Sequence, residues 1–122
     1  MQGKPAASFK DLIVWQKSHA LALKVYRVSA RYPKTELYGL VSQVRRAAVS
    51  VQANIAEGFK RASRLDKARF LNVAQGSLEE LRYFLLLAAD LEYESDPALP
   101  ADLDEVARLL DSYRSRIVAS AQ

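Results

Sequence analysis

Apolar residues recur every three or four positions in four separate stretches of this chain, and no stretch keeps up the alternation of a half-buried strand. That spacing lines one face of an α-helix with apolar side chains. We predict helices at about Leu12–Ala30, about Glu36–Phe59, from Ser63 onward, and at about Ala101–Ser120. Because short connections favour antiparallel neighbours, the predicted fold is all-α, an antiparallel up-and-down four-helix bundle.

The first predicted helix carries two apolar stripes side by side. We assign the first stripe to the core, which makes His19 a hydrogen-bonded core residue; it consists of Leu12, Trp15, His19, Ala22, Tyr26 and Ser29. One bundle core does not need both stripes. We therefore predict that the second stripe is an oligomer interface, formed by Val14, Leu21, Val25 and Val28.

The other helices show clearer seams and end signals. The second helix repeats Leu37, Leu40, Val44, Val51, Ile55 and Phe59. Gly58 is predicted to end this helix, since glycine accepts the left-handed C-cap conformation. Ser63 and Asp66 match a capping box that opens the third helix, and Gly76 inside that helix suggests a close helix crossing.

Length and composition fit one ordinary domain. With 122 residues, 50% of them hydrophobic, the chain can bury a continuous core. We predict a single four-helix bundle domain at residues 9–120 after a disordered or extended N-terminus at residues 1–8. Cysteine is absent, which excludes disulfides and thiolate metal sites. The longest apolar run, Phe84–Ala89, is too short to cross a bilayer, so we expect a cytoplasmic protein with no membrane partner.

Charge is unevenly distributed along the chain. Through Arg69 there are 14 basic and 4 acidic residues, a net charge of +10, and from Phe70 onward there are 4 basic and 10 acidic residues, a net charge of −6. Such asymmetry is typical of a protein with an anionic partner, or of subunits that dock a basic half against an acidic half.

Seven cations lie within a short length of chain, two on the second predicted helix and five around the second predicted turn. We predict that they contact nucleic acid through phosphate neutralisation: Arg45, Arg46, Lys60, Arg61, Arg64, Lys67 and Arg69. A solvated charged face is the alternative. The aromatic residues between them, Phe59 and Phe70, are assigned to the core, so base stacking is expected to be minor.

Motifs for catalysis are not found. A di-iron bundle needs Glu-x-x-His pairs, and the residue three before His19 is Gln16. Asp102, Asp104 and Glu105 fit a first helical turn as partners of the helix dipole. Gly-rich phosphate loops, nucleophile elbows and zinc spacings are missing. We therefore expect no enzyme activity, no cofactor and no metal.

Four segments of the chain, in order and spacing, resemble the four-helix-bundle proteins encoded in intervening sequences of bacterial 23S rRNA genes. The first is Phe9–Leu12 with Val14–Gln16, and the second is Tyr38–Leu40 with Ser42–Gln43 and Arg45–Val51. The third is Ala53–Gly58, and the fourth is Phe70–Leu71 and Ala74 with Gly76–Leu81. The same family resembles the accessory protein of diversity-generating retroelements, which works with a reverse transcriptase and RNA. The chain departs from the expected pattern at Gln52, where the resemblance suggests proline, and the fourth helix matches nothing recognisable.

The resemblance implies a bundle that assembles into a pentameric ring, with a basic surface suited to nucleic acid and no known catalysis. Our functional hypothesis is a non-enzymatic homo-oligomer that binds structured RNA or a nucleoprotein, such as a reverse transcriptase complex. The alternative is a structural oligomer or protein-interaction scaffold without a nucleic-acid role.

Overall fold

Four long helices follow one another in a computed structural model that describes residues 5–120. They are α1 (Ile13–Ser29), α2 (Leu40–Lys60), α3 (Arg64–Asp90) and α4 (Leu99–Ser120), with short 3-10 turns at Phe9–Asp11 and Lys34–Glu36. Helix α1 packs on α2 and α4, and α3 packs on the same two helices, so that α1 and α3 lie diagonally across the bundle. The predicted all-α four-helix bundle is confirmed.

The buried face of α1 is centred on the second predicted stripe and includes Ala22 and Ser29 from the first. Val14, Leu21, Val25 and Val28 are all buried within the single chain, between 0% and 8% exposed. Their apolar surface is already covered by the other helices of the same chain. The prediction that these four residues form an oligomer interface is therefore wrong, and they are core residues.

The other stripe of α1 lies along the edge of the core beside α2. Trp15 is half-buried, His19 is exposed, and Tyr26 is 41% exposed. The imidazole of His19 stacks on Trp15 with the two ring centroids 5.1 Å apart. The prediction of a core histidine is thus wrong. Aromatic residues with polar atoms are often found at the partly exposed border of a core, whereas valine and leucine are more often fully buried.

Polar side chains fix the helix starts. The Ser63 hydroxyl accepts a hydrogen bond from the Asp66 amide at 3.0 Å, which confirms Ser63 as the N-cap of α3. The Asp66 carboxylate pairs with Arg69, so the predicted capping box forms only in its Ser63 half. Ser8 forms a full capping box with Asp11 ahead of α1. Of the predicted disordered or extended N-terminus at residues 1–8, residues 1–4 lie outside the described residues.

Helix α2 begins four residues later than predicted. Pro33 is followed by a 3-10 turn, and the Glu36 carboxylate then accepts a hydrogen bond from the Leu40 amide at 3.2 Å. Leu37 consequently leaves the seam and is 51% exposed. The helix then runs without a break through Gln52 to Lys60.

Neither helical glycine has its predicted role: Gly58 does not end α2, and Gly76 is not at the close helix crossing. Gly58 lies inside α2 and is buried, and a Cβ placed there would come within 3.1 Å of the Phe70 Cβ and 3.4 Å of the Lys67 carbonyl oxygen. A Cβ at Gly76 would meet no described atom within 4 Å. The close crossing of α2 and α3 is therefore at Gly58, while Gly76 is exposed.

The chain's basic and acidic halves meet inside one molecule. Ion pairs join Lys17 to Glu105 at 3.5 Å and Lys24 to Asp102 at 2.6 Å, both between α1 and α4. The hydrogen bond from Lys24 to Asp102 raises the pKa of the Lys24 ammonium. Part of the charge asymmetry is thus compensated within the bundle rather than between subunits.

Candidate nucleic-acid interface

The turn between α2 and α3 gathers cations at one end of the bundle. Because α2 ends at Lys60 and Ser63 starts α3 three residues later, the basic run is folded into a tight corner rather than spread along a helix. Five of the seven predicted nucleic-acid residues are brought together here: Lys60, Arg61, Arg64, Lys67 and Arg69.

The end of α4 adds further cations that the sequence analysis did not include. Arg64 donates a hydrogen bond to the Ser120 hydroxyl at 2.9 Å, and Arg114 donates one to the Ala68 carbonyl at 3.3 Å. The C-terminus of α4 therefore lies beside the start of α3. We call the resulting surface the basic pole; it comprises Lys10, Lys60, Arg61, Arg64, Lys67, Arg69, Arg114 and Arg116.

Several cations of the basic pole are held in place by neighbouring groups. The Lys67 ammonium donates to the Phe59 carbonyl at 2.6 Å and so satisfies the end of α2. The Arg61 guanidinium lies over the Phe70 ring, 4.4 Å from its centroid, and 3.6 Å from the Glu57 carboxylate. Its side chain is still 45% exposed, so the charge remains available to an anionic partner.

Acidic residues are fewer at this end. Arg69 is paired with Asp66 at 2.5 Å, yet 72% of the Arg69 side chain is exposed. Two acidic residues form ion pairs with cations of the basic pole, Glu57 with Arg61 and Asp66 with Arg69. The basic pole thus keeps an excess of positive charge after internal pairing.

Arg45 and Arg46 lie away from the basic pole. They precede Lys60 by roughly 22 Å along α2, at 1.5 Å per residue. Arg45 donates to the Ser29 hydroxyl at 2.9 Å and to the Tyr26 carbonyl at 3.1 Å, with its guanidinium over the Tyr26 ring. These contacts make Arg45 a tie between α1 and α2, so the single seven-residue cluster predicted from the sequence does not form.

Arg46 is placed differently from Arg45. Its guanidinium is 3.2 Å from the Glu80 carboxylate of α3 and 3.0 Å from the Gln43 side-chain oxygen. The Arg46 side chain is 56% exposed. Arg46 is therefore a surface residue of the α2–α3 face, separate from the basic pole.

A cleft of about 580 Å³ opens beside the basic pole, between the segment before α1 and the end of α2. Phe9, Phe59, Lys60 and Arg61 line it together with Glu57. Phe9 was not among the predicted site residues, because it lies about fifty residues before Phe59 in the chain. The available signal was the up-and-down topology, which puts the start of α1 at the same end as the α2–α3 turn.

The opposite end of the bundle, the acidic pole, carries Asp90, Glu92, Glu94, Asp96, Asp102 and Asp104. An apolar cavity of about 430 Å³ lies there, between α3 and the start of α4, and Leu85, Leu99 and Leu103 are among its lining residues. Within residues 5–120, no group of three or more His, Cys, Asp or Glu side chains is arranged to hold a metal ion. None of the helices in this range has the length and apolar character needed to span a membrane.

Comparison with known proteins connects this bundle to a family. The family model for the 23S rRNA-intervening sequence protein matches residues 10–112. The chain belongs to this family. The match includes α1 to α3 and reaches into α4, which extends the region of likeness beyond the segments singled out in the sequence.

A solved structure supports the same assignment. The bundle is similar to a crystal structure of a protein of unknown function from the S23 ribosomal protein family of Bacteroides thetaiotaomicron, with a TM-score of 0.76 and 27% sequence identity. The likeness covers 87% of this chain and 98% of that one. No curated protein matches the chain.

Proposed function

We propose that this chain is a non-enzymatic, homo-oligomeric member of the 23S rRNA-intervening sequence protein family that binds structured RNA, or a nucleoprotein containing it, through the basic pole. A reverse transcriptase complex is one such nucleoprotein. The observation that carries the proposal is the excess of exposed cations at one end of the bundle, drawn from α2, α3, α4 and the turn before α1. We place this activity in the cytoplasm.

The physical basis is electrostatic. Exposed lysine and arginine side chains displace counterions from a phosphate backbone, which makes affinity strongly salt-dependent and tolerant of sequence. The basic pole is built from the ends of helices that the core holds rigidly, so its charges keep fixed spacings. In a ring of five subunits each pole contributes its own contacts, and weak individual contacts add into avidity.

The alternative function is a structural or protein-interaction scaffold. The observation that favours it is that six large apolar side chains besides Tyr26 are exposed on α1 and α3, namely Ile13, Leu23, Leu65, Val73, Tyr83 and Leu86. Exposed apolar surface of this kind is typical of protein–protein contacts. Assembly belongs to both functions, so RNA binding decides between them.

The deciding experiment measures binding of a fluorescent RNA hairpin by anisotropy across a salt series. We expect affinity to fall by orders of magnitude between about 50 and 200 mM salt. A variant with Lys60, Arg64 and Arg69 changed to glutamine should bind more weakly and flatten the salt dependence by about one unit of slope per lost phosphate contact.

A matched control removes the same charge at the other end of the bundle. Arg27, Arg31 and Lys34 are exposed residues at the end of α1 and the turn that follows. Changing these three to glutamine alters the net charge equally, so it should reduce RNA affinity much less. Equal losses in both variants would mean that only net charge matters, and no binding at low salt would favour the scaffold.

A further inference from the structure

The cleft beside the basic pole combines two kinds of side chain that nucleotides require. Phe9 and Phe59 supply aromatic rings, and Lys60 and Arg61 supply cations within the same lining. Its volume of about 580 Å³ is within the range of small-molecule sites. Base stacking was expected to be minor because Phe59 and Phe70 were assigned to the core, but both are only half-buried.

Phe9, which lines the cleft, is held in place by contacts with neighbouring residues. It begins the 3-10 turn that the Ser8–Asp11 capping box closes, and its ring packs against Trp15 with the two centroids 4.8 Å apart. Trp15 in turn stacks on His19. The ring of Phe9 is half-buried, so part of it remains accessible from the cleft.

The charges of the cleft favour an anion next to these rings. The Glu57 carboxylate lies 3.6 Å from Arg61, which neutralises the acidic group of the lining. Lys60 is exposed at the last residue of α2 and lines the cleft together with Phe59. A phosphate at Lys60 and a base against Phe9 would therefore be accommodated together.

We propose that this cleft binds one unpaired nucleotide of the RNA, with the base stacked on Phe9 and its phosphate at Lys60. The proposal rests on the proposed function and adds a preference for unpaired nucleotides. Bases in a paired stem are stacked on one another and cannot enter a side cleft, whereas a loop or bulge can present a base to an aromatic ring.

The test compares two RNA probes at low salt with the full chain: an unstructured oligoadenylate and a blunt duplex of similar total charge. Phe9→Leu should weaken binding to oligoadenylate at least roughly five-fold, the lower end of what base stacking contributes. Its affinity for the duplex should change less than about two-fold, because phosphate contacts at the basic pole remain.

Two further variants make the test specific. Phe9→Tyr keeps an aromatic ring and should bind oligoadenylate as the wild type does. Tyr38→Leu removes an aromatic ring that is 94% exposed at the opposite end of the bundle, and it should leave both affinities unchanged. Circular dichroism and light scattering on each variant check that fold and assembly are retained.

Trp15 gives an independent readout, because it is the single tryptophan of the chain and touches Phe9. Oligoadenylate should quench its fluorescence, and the duplex should not. Three results would overturn the nucleotide cleft. They are an equal loss of affinity for both probes in Phe9→Leu, a similar loss of affinity in Phe9→Tyr, and a changed mass of the assembly in Phe9→Leu. Duplex binding without any effect of Phe9 removes the cleft alone, whereas a wild type that binds neither probe removes the proposed function.

Discussion

Two glycines in neighbouring helices show how much depends on a single missing methyl group. At Gly58 the backbones of α2 and α3 approach so closely that an added Cβ would meet the Phe70 Cβ and the Lys67 carbonyl oxygen. Neither atom is the end of a flexible side chain. At Gly76, on the same pair of helices, the space is open. The same substitution therefore has opposite physical consequences at the two positions.

We predict that Gly58→Ala lowers the free energy of unfolding and that Gly76→Ala raises it. Crowding at Gly58 costs about 1–3 kcal/mol, which outweighs the gain in helix propensity. At Gly76 the gain of up to about 1 kcal/mol is unopposed. Urea unfolding monitored by circular dichroism measures both. A stabilised Gly58→Ala would show that α3 can shift away from α2 at little cost.

Tyr32 has an unusual environment for a hydroxyl. Its side chain is 5% exposed, and its hydroxyl finds no hydrogen-bond partner among residues 5–120. Burial raises the pKa of Tyr32 above its ordinary value of 10. Tyr93, whose ring centroid lies 5.5 Å from that of Tyr32, instead donates a hydrogen bond to the Glu36 carboxylate at 2.9 Å.

We predict that Tyr32→Phe raises the free energy of unfolding by about 1 kcal/mol, because it removes a buried donor without a partner. Tyr93→Phe, the matched control, loses the hydrogen bond to Glu36 and should lower the free energy of unfolding. Chemical unfolding at pH 7 measures both changes. A destabilised Tyr32→Phe would contradict the assignment of an unsatisfied hydroxyl.

The same residue makes stability depend on alkaline pH. A raised pKa means that the folded state holds the phenol proton more tightly than the unfolded state. The contribution of this proton to the free energy of unfolding is therefore complete below about pH 10, and it is lost as the pH rises further toward the folded pKa. In Tyr32→Phe the decline of the unfolding free energy above pH 10 should therefore be shallower than in the wild type. Equal slopes would exclude Tyr32 as a source of the decline.

At the scale of helices, the hydrophobic period was sufficient to find all four elements but not to orient α1. Both of its stripes repeat at helical spacing, so the period alone cannot decide which one is inside. The stripe of valines and leucine is buried, and so are Ala22 and Ser29 of the other stripe. Trp15 is half-buried, whereas His19 and Tyr26 are exposed. Side-chain type was the missing criterion, because aromatic residues with polar atoms accept an exposed edge.

Arg45 and Arg46 illustrate the same limit for charged residues. Adjacent positions on a helix point about 100° apart, which predicts different surroundings but does not say which arginine faces which neighbour. The structure ties Arg45 to α1 through Ser29 and Tyr26, and directs Arg46 to Glu80 on α3. The cations of the α2–α3 turn, in contrast, were predictable together because the turn is short.

We predict that Arg45→Gln lowers the free energy of unfolding by about 1–2 kcal/mol, since it removes charged hydrogen bonds and the stacking on Tyr26. Arg46→Gln removes an exposed ion pair and should change it by less than about 1 kcal/mol. Thermal or urea unfolding distinguishes the two. Equal effects would show that the α1–α2 tie contributes no more than a surface ion pair.

For the whole molecule, the exposed apolar residues are arranged by helix. The six exposed apolar side chains that favour the scaffold function lie on α1 and α3. Helix α2 contributes Val49, which is 40% exposed. Helices α1 and α3 are diagonal in the bundle, so their outer faces point to opposite corners. A subunit with two unlike contact faces at opposite corners can assemble head to tail, and such contacts close into rings when the rotation permits.

We predict a mass several times 13.6 kDa by light scattering at micromolar concentration, with α1 of one subunit against α3 of the next. Leu23→Glu on α1 and Tyr83→Glu on α3 should each reduce the mass, because each contact between subunits contains one residue of each kind. A charge desolvated in such a contact without a partner is strongly unfavourable. Val49→Glu introduces the same charge on α2, away from both corners, and should leave the mass unchanged.

If RNA binding depends on avidity, the two dissociating variants should also bind RNA hairpins more weakly than Val49→Glu. A wild-type chain that stays monomeric would contradict the proposed assembly, and a loss of mass in Val49→Glu alone would move the contact from the α1 and α3 corners to α2.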